Sequence, residues 1–347
     1  MRWTGQTTSS SYLEKPANSD PAGAVVFEPA VAIADNRFKI PGVHPFSAVD
    51  AHPSGLASKR IVTACLGMQR IGIGCTALAL STSLVTGSPV HAQSNSDCDQ
   101  QTGSPVSVPE LKHGLLQGYL NKALPDSMLL LDGPPPAGSA AEALDKAKAE
   151  ATFAHQNTPR WQLAAKDADL HFPAAATVFS CALGVPISES TTPSLYMLLR
   201  RSLTDAGLST YRAKNHYQRP RPFMSNGKPI CTPDEIEGLR NDGSYPSGHT
   251  AVGWAWALIL SEIAPDRRDQ LLARGLAYGQ SRNICNVHWF SDVEAGRLMG
   301  SATVSQLHAD PVFRADLRAA RKEVAALRRQ QAQPNGDCAL EQRALKR

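Results

Sequence analysis

One apolar helix limits the folds that are open to this chain. Apolar and small residues fill positions 251–263 except for Glu262, Ser247 stands four residues ahead of them, and Pro265 closes the run. Serine is a favoured N-cap residue, and proline ends a helix. Roughly thirteen residues are too few to cross the hydrocarbon core of a bilayer. A helix that is apolar on all sides needs cover from every direction, so this run predicts the buried centre of a helical bundle.

The segments around this helix also carry helical signals. Apolar residues at helical spacing, or capping Ser, Thr and Pro residues, predict helices over residues 108–124, 139–155, 159–172, 173–184, 266–277, 288–307 and 311–331, and a long helix from residue 192 through Lys214 toward Pro220. The segment Gly133-Pro134-Pro135-Pro136 must be extended, because proline cannot continue a helix. No segment alternates convincingly between apolar and polar residues. Residues 93–347 are therefore predicted to form one all-α domain, a single helical bundle, with a loose tail after about residue 334.

The N-terminal part of the chain has the features of a processed segment. Residues 1–58 are rich in Ser, Ala and Pro and lack an apolar period, as a disordered segment does. A largely apolar stretch follows, and Val90-His91-Ala92 places small residues where signal peptidase reads them. We therefore expect a secretory signal peptide at residues 68–92, cleaved after Ala92. Residues 1–67 would then be a disordered extension or an over-extended start, with translation beginning at Met68. The alternative is a membrane anchor, for which the apolar run is short.

Cysteine usage agrees with export to an oxidising compartment. Five cysteines follow the expected cleavage site: Cys98, Cys181, Cys231, Cys285 and Cys338. They allow at most two disulfides and one free thiol, and the sequence leaves the pairing open. Cys98 and Cys338 lie near the two ends and are candidates for a pair. No cysteine or histidine cluster has the spacing of a zinc site. The formal charge of +4 is too small to indicate a nucleic-acid partner.

The stretch from residue 281 to residue 292 combines an arginine, a histidine and an aspartate. If it starts a helix, His288 and Asp292 are four residues apart and share a face. A carboxylate one turn from an imidazole can hold one ring nitrogen and leave the other free as a nucleophile. A purely structural His–Asp pair explains this stretch equally well when it is considered alone.

Two cations precede this stretch at helical spacing. Lys214 and Arg221 are seven residues apart, or two helical turns, so both side chains can point the same way. Two fixed cations form a clamp for a phosphate group, and arginine can bind two oxygens at once. Arg219 lies off that face. The alternative interpretation is a solvated basic end of a helix.

A third stretch, Tyr245-Pro246-Ser247-Gly248-His249-Thr250, leads directly into the apolar helix. The free backbone N–H groups at a helix N-terminus bind anions, and glycine lets an oxygen approach closely. Ser247 can either cap the helix or donate to a phosphate oxygen. His249 lies in the first turn, where it suits a position beside a bound anion. The alternative is a capped helix with an incidental histidine.

These three stretches together resemble a known signature. In order and spacing, Lys214-x6-Arg221-Pro222, Pro246-Ser247-Gly248-His249 and Ser281-Arg282-x5-His288-x3-Asp292 resemble the motif shared by bacterial acid phosphatases, membrane lipid phosphatases of the phosphatidic acid phosphatase type 2 superfamily, and vanadium haloperoxidases. The sequence is most similar to the class A bacterial non-specific acid phosphatases, which are exported proteins with an all-α fold. The likeness covers most of residues 108–310 and includes the Gly-Pro-Pro-Pro segment.

The resemblance implies a role for each signature residue. His288 would attack phosphorus and form a phosphohistidine, Asp292 would orient its ring, and His249 would protonate the leaving group and then activate water. The equatorial oxygens would be held by Lys214, Arg221, Ser247, Gly248 and Arg282. No metal ion or other cofactor is implied. The expected reaction is hydrolysis of small phosphate monoesters of broad specificity (nucleotides, sugar phosphates and aryl phosphates) in the periplasm. Phosphate transfer to alcohols would be a side activity.

Three alternatives share parts of this pattern. A vanadium-dependent haloperoxidase would use the same oxyanion pocket, and the signature alone does not separate it from a phosphatase. The modest length after Ala92 and the segment at residues 133–136 favour the phosphatase. A membrane lipid phosphatase is disfavoured, because nothing after Ala92 is long and apolar enough to span a bilayer. A silent phosphate-binding protein would be expected to have lost a histidine. The preferred substrate and the oligomeric state stay open, although members of class A often form homo-oligomers.

Overall fold

Helices make up most of the computed structural model, which describes residues 107–112, 114–121 and 123–346. The expected signal peptide, the N-terminal extension and Cys98 lie outside these residues. The described α-helices are α1 (Ser127–Leu130), α2 (Ala140–Ala151), α3 (Pro159–Lys166), α4 (Ser180–Leu183), α5 (Pro193–Ser209), α6 (Tyr211–Tyr217), α7 (Pro222–Asn226), α8 (Ile236–Arg240), α9 (Gly248–Ile263), α10 (Arg268–Ile284), α11 (Phe290–Leu307), α12 (Pro311–Arg329) and α13 (Cys338–Leu345). Short 3₁₀ helices occupy Thr152–His155, Ala174–Phe179, Pro233–Glu235 and Pro265–Arg267. The all-α prediction is confirmed.

The apolar helix α9 lies at the centre of the bundle, as predicted. It packs against α5, α10 and α11, and its side chains Trp256 and Ile259 are fully buried. Burying one such side chain stabilises the fold by about 1.5–3 kcal/mol. Glycine lets a neighbouring helix approach very closely, because a Cβ on Gly296 of α11 would lie 2.5 Å from the carbonyl oxygen of Ser247. The start of α11 is therefore held against the N-terminus of α9.

The outer helices complete one large apolar cluster around α9. Phe313, Leu317 and Val324 of α12 belong to this cluster together with α5 residues. The helix α12 starts at Asp310, whose carboxylate accepts the backbone N–H of Phe313 at 2.8 Å, as an N-cap does. None of the helices among the described residues has the length and apolarity that a membrane span requires.

The first predicted helix, over residues 108–124, is wrong. The segment forms a small antiparallel hairpin of β1 (Glu110–Lys112) and β2 (Leu115–Leu116), with Gly114 at a φ of +80° between them. The carboxylate of Asp205 accepts the backbone N–H groups of Tyr119 and Leu120, at 2.8 and 3.1 Å. These contacts with α5 satisfy backbone groups that a helix would have paired internally, so a tertiary interaction overrides the apolar spacing.

Several helix boundaries also differ from the prediction. The long helix from residue 192 breaks at Thr210, between α5 and α6, and α3 ends at Lys166 rather than near residue 172. The helix predicted over residues 266–277 is longer, because α10 continues to Ile284. Since α11 begins only at Phe290, His288 lies in the loop before the helix, and the expectation that His288 and Asp292 share one helical face is wrong.

The prediction of a loose tail after residue 334 is wrong, and so is the suggested pair of Cys98 and Cys338. Cys338 forms a disulfide with Cys181, and α13 packs against α3. Glu341 of α13 also accepts a hydrogen bond from Arg274 at 2.9 Å. The second disulfide joins Cys231 to Cys285 in the loop that precedes α11. The expected limit of two disulfides is met within the described residues.

Candidate active site

Six of the eight residues singled out in the sequence line one cavity of about 170 Å³. The six are Lys214, Arg221, Gly248, His249, Arg282 and His288. They come from α6, the residue before α7, the first turn of α9, the last turn of α10 and the loop before α11. The other two residues, Ser247 and Asp292, are buried immediately behind this lining. The fold therefore brings three distant stretches together around a cavity large enough for a small anionic group.

His288 points one ring nitrogen into the cavity. Its Nε2 lies 3.0 Å from Nη1 of Arg221, and because a guanidinium only donates, Nε2 is the accepting nitrogen with a lone pair. Its Nδ1 lies 3.4 Å from Oδ2 of Asp292, a distance outside good hydrogen-bond geometry. Burial and the cations of Arg221 and Lys214 lower the pKa of His288 well below its usual value. His288 thus lines the cavity with an accepting Nε2, and the lowered pKa favours the neutral imidazole that a nucleophilic role would need.

Asp292 is fixed by the start of α11 and by an arginine. Its Oδ2 accepts the backbone N–H of Trp289 at 2.8 Å, and its Oδ1 accepts Nη1 of Arg219 at 2.6 Å. Burial raises the pKa of Asp292, and Arg219 opposes that rise. Arg219 itself bridges to Oδ2 of Asp145 on α2 at 2.8 Å. A buried row of charges thus runs from Asp145 through Arg219 and Asp292 to the ring of His288.

The helical face predicted for Lys214 and Arg221 is wrong, because α6 ends before Arg221 is reached, although both residues line the cavity and Arg219 does not. No sequence pattern indicated that Arg219 supports Asp292. Asp145 was missed altogether. It lies 74 residues from Arg219 in the chain and is a single aspartate in an otherwise ordinary amphipathic helix. The unusual burial of this carboxylate becomes visible only when α2 and α11 are packed together.

Two of the buried cations are already engaged by protein groups. Nζ of Lys214 donates to the carbonyl oxygen of Gly243 at 2.6 Å and lies 3.4 Å from the carboxylate of Asp242. Nη2 of Arg221 donates to the same carboxylate at 2.9 Å, and its Nη1 donates to the carbonyl of Val287 at 2.9 Å. Burial lowers the pKa of Lys214 to about 8, although Asp242 opposes that shift. Asp242 was not singled out from the sequence.

Arg282 differs from these two cations. Its side chain is 0% exposed, and none of its three guanidinium nitrogens has a hydrogen-bond partner among the described residues. Burial lowers its pKa. A buried cation without a partner is costly in free energy and is expected where an anion completes the site. Arg282 therefore marks the cavity as an anion-binding site.

The N-terminus of α9 forms another wall of this site. Ser247 is the N-cap, and its hydroxyl oxygen accepts the backbone N–H of Thr250 at 3.3 Å. The N–H groups of the first helical turn have no partner within a helix and carry partial positive charge. His249 donates its Nε2–H to the carbonyl oxygen of Ala168 at 2.9 Å, which leaves Nδ1 for other partners. Burial and the neighbouring Arg282 lower the pKa of His249 well below its usual value.

The cavity also has an apolar wall. Its main residues are Leu115, Leu170, Leu203, Leu208 and Val252. The cavity thus combines cations that suit an anion with apolar side chains that suit the carbon skeleton of a small molecule.

Ser281, although part of the signature, faces away from the cavity. Its hydroxyl donates to Asp167 at 2.6 Å and accepts from Arg160 at 2.9 Å. This serine belongs to a buried polar network on the far side of α10. Within the part of the chain that the structure describes, no cluster of three or more His, Cys, Asp or Glu residues could hold a metal ion.

Comparison with known proteins agrees with the geometry of the cavity. The model of the PAP2 superfamily matches residues 193–313, which contain all eight residues of the site. An acid phosphatase of Zymomonas mobilis is 42% identical over 220 residues, which cover 63% of this chain and 83% of that protein. A non-specific acid phosphatase of Providencia stuartii is 46% identical over 205 residues, 59% of this chain and 83% of the relative.

A non-specific acid phosphatase of Salmonella typhimurium is 41% identical over 194 residues, 55% of this chain and 78% of that protein. These relatives are aligned over most of their own length. The resemblance inferred from the three motifs is therefore confirmed, and the enzyme is a phosphoric monoester hydrolase. The chain belongs to the bacterial non-specific acid phosphatases, within the PAP2 superfamily.

Proposed function

We propose that this protein is an exported acid phosphatase that hydrolyses small phosphate monoesters of broad specificity through a phosphohistidine on His288. The observation that carries the proposal is the unpaired, fully buried guanidinium of Arg282, which shares a cavity with the accepting Nε2 of His288 and the N-terminus of α9. A cation that can bind an anion, a nucleophile and a helix N-terminus are thereby brought to one place.

In the first step, Nε2 of His288 attacks phosphorus in line with the ester oxygen. The P–N bond forms while the P–O bond to the leaving group breaks, and His249 gives its proton to the departing oxygen. Asp292 faces Nδ1 and stabilises the positive charge that the ring acquires. Arg219 keeps Asp292 in place from behind.

The charge that spreads over the equatorial oxygens is held by groups that are already oriented. These are Lys214, Arg221, Arg282, the hydroxyl of Ser247 and the backbone N–H of Gly248. Loss of one such donor typically costs about 10²–10³ in rate, because the donor acts on charge that develops in the transition state. Phosphate must replace the present contacts of Lys214 and Arg221, whereas Arg282 is ready to bind.

In the second step, His249 takes a proton from water, and the hydroxide oxygen attacks phosphorus. The P–N bond breaks, inorganic phosphate forms, and His288 returns to its neutral state. An alcohol that takes the place of water would accept the phosphoryl group, which explains the expected transfer activity. The apolar wall of the cavity would contact the carbon skeleton of the ester.

The two histidines need opposite protonation states, and the site supplies a reason for an acidic optimum. The low pKa of His288 keeps the nucleophile neutral in mild acid. The pKa of His249 is lowered first by burial and then by Arg282. A bound phosphate monoester offsets the charge of Arg282, so it raises the pKa of His249 and favours protonation of the acid. Acidic solution then supports both requirements.

Two features support export to the periplasm. The disulfides Cys181–Cys338 and Cys231–Cys285 persist in oxidising compartments and are rare in the cytosol. The second feature is the predicted signal peptide at residues 68–92, which lies outside the described residues. N-terminal sequencing of the protein recovered from the periplasm tests its cleavage after Ala92.

The decisive experiment combines chemical trapping with a matched variant. Acid-sensitive phosphate should be found on wild-type protein quenched in alkali after mixing with ³²P-labelled substrate, and His288→Ala should carry none and turn over no p-nitrophenyl phosphate. His216→Ala, which changes a histidine outside the cavity lining, is the control and should trap phosphate normally.

Activity should survive EDTA. Label on a residue other than His288 would overturn the mechanism, and peroxide-dependent bromide oxidation with vanadate in place of hydrolysis would favour a haloperoxidase.

A further inference from the structure

Asp242 holds the two clamp cations with a single carboxylate oxygen. Its Oδ2 lies 2.9 Å from Nη2 of Arg221 and 3.4 Å from Nζ of Lys214. A phosphate oxygen that bound both cations would occupy the same place between them. In the ligand-free enzyme, the carboxylate thus acts as an internal substitute for part of the phosphate group.

The side chain of Asp242 can move away from the two cations while the backbone of its loop stays in place. The side chain of Asp242 is 30% exposed, whereas those of Arg221 and Lys214 are 2% and 4% exposed. The backbone of the loop is held, because the carbonyl oxygens of Asp242 and Gly243 accept hydrogen bonds from Arg221 and Lys214. A Cβ on Gly243 would lie 2.8 Å from the carbonyl oxygen of Lys214, so this part of the loop is tightly packed. Rotation of the Asp242 side chain toward solvent therefore removes the carboxylate from both cations, while their hydrogen bonds to backbone carbonyls remain.

The contrast with Arg282 indicates what this arrangement does. Arg282 has no hydrogen-bond partner among the described residues and attracts an anion, while Lys214 and Arg221 already share the carboxylate of Asp242. Phosphate and the carboxylate carry like charges and cannot occupy neighbouring places on the two cations without repulsion. Binding of phosphate must displace the carboxylate, and return of the carboxylate must help to expel phosphate.

We propose that Asp242 competes with phosphate for Lys214 and Arg221 and thereby limits the affinity of the enzyme for its product. This inference rests on the proposed function, since it assumes that the two cations hold phosphate during catalysis. It assigns to Asp242 a part in product release. The structure also permits a different role, in which the carboxylate merely orients the cations, and the two roles make opposite predictions.

The test is the affinity for inorganic phosphate in Asp242→Asn. We expect the inhibition constant for phosphate and KM for p-nitrophenyl phosphate to fall at least tenfold, with a lower kcat because phosphate leaves more slowly. Asp234→Asn is the matched control. Asp234 lines the same cavity, but among the described residues no ion pair joins it to Lys214 or Arg221, so its inhibition constant should change less than twofold.

Direct binding of phosphate, measured by calorimetry on the same proteins, separates the outcomes. A wild-type enzyme that hydrolyses esters together with an Asp242→Asn variant whose phosphate affinity is unchanged or weaker would overturn this inference alone. A wild-type protein that neither binds phosphate nor hydrolyses esters would overturn the proposed function and the inference with it. Asp242→Ser serves as the second variant if Asn disturbs folding, and it should tighten phosphate binding in the same direction.

Discussion

Arg274 and Arg282 lie two turns apart on α10, and both guanidinium groups are buried. Arg274 makes two hydrogen bonds to Asp167, at 3.1 and 2.5 Å, and a third to Glu341 at 2.9 Å. Arg282 has no hydrogen-bond partner among the described residues. Burial lowers the pKa of both groups, but the two carboxylates reverse that effect for Arg274 and leave its pKa raised, while that of Arg282 is lowered.

The difference distinguishes a structural cation from one reserved for a ligand. Arg274 joins α10 to α3 and to the C-terminal helix α13, so its charge is neutralised by the fold itself. Arg282 lines the cavity with no hydrogen-bond partner among the described residues, so its guanidinium is available to an anion. The same residue type on the same helix therefore stabilises the protein near the middle of α10 and prepares the proposed reaction in its last turn.

The largest effect is expected from Arg274→Gln. This change leaves Asp167 and Glu341 without their cation in a buried site, and breaking a buried ion pair in this way costs about 3–5 kcal/mol. Denaturant unfolding followed by circular dichroism should show that loss, while kcat/KM of the folded protein stays close to that of wild type. Lys166→Gln is the control, because it removes an exposed ion pair with Asp337 and should leave the unfolding free energy almost unchanged. An equal effect of both substitutions would contradict the distinction drawn here.

Arg282→Gln is expected to give the reverse pattern. kcat/KM for p-nitrophenyl phosphate should fall about 10²–10³-fold, or roughly 2.7–4 kcal/mol, because an oriented donor to the transition state is lost. The free energy of unfolding should not decrease, since the substitution removes a buried charge that has no partner. Steady-state kinetics and denaturant unfolding on one preparation measure both quantities. If the variant kept its activity and lost stability, Arg282 would be a structural cation like Arg274.

A smaller and pH-dependent effect is expected from Arg219→Gln. Burial raises the pKa of Asp292 and Arg219 opposes this, so removal of Arg219 raises that pKa further. Asp292 then binds a proton at a higher pH, and a neutral carboxyl group no longer stabilises the charged ring of His288. The acid limb of the kcat/KM profile should consequently move to higher pH, and Arg219→Lys should move it back toward wild type. A uniform loss of activity at every pH would instead indicate a packing defect.

Local sequence patterns predicted the features that depend on residues close together in the chain. The buried helix α9 follows from its apolar run and its Ser247 cap, and both were predicted correctly. The order and spacing of the three motifs indicated the family, and six of the eight chosen residues line one cavity. The same kind of reasoning failed over residues 108–124, because Asp205 of α5 binds the backbone of that segment and no local pattern records such a contact.

The sequence by itself determined that this chain folds as a helical bundle. It also identified two histidines, three cations and a helix N-terminus as candidates for phosphate chemistry. Only the tertiary structure decided how those charges are compensated. It paired Arg274 with Asp167 and Glu341, placed Asp145 behind Arg219, set Asp242 against Lys214 and Arg221, and left Arg282 without a partner. Asp167 and Arg274 are 107 positions apart in the chain. A periodic pattern predicts which face of a helix is buried, but it does not predict which charged residue from a distant part of the chain will contact that face.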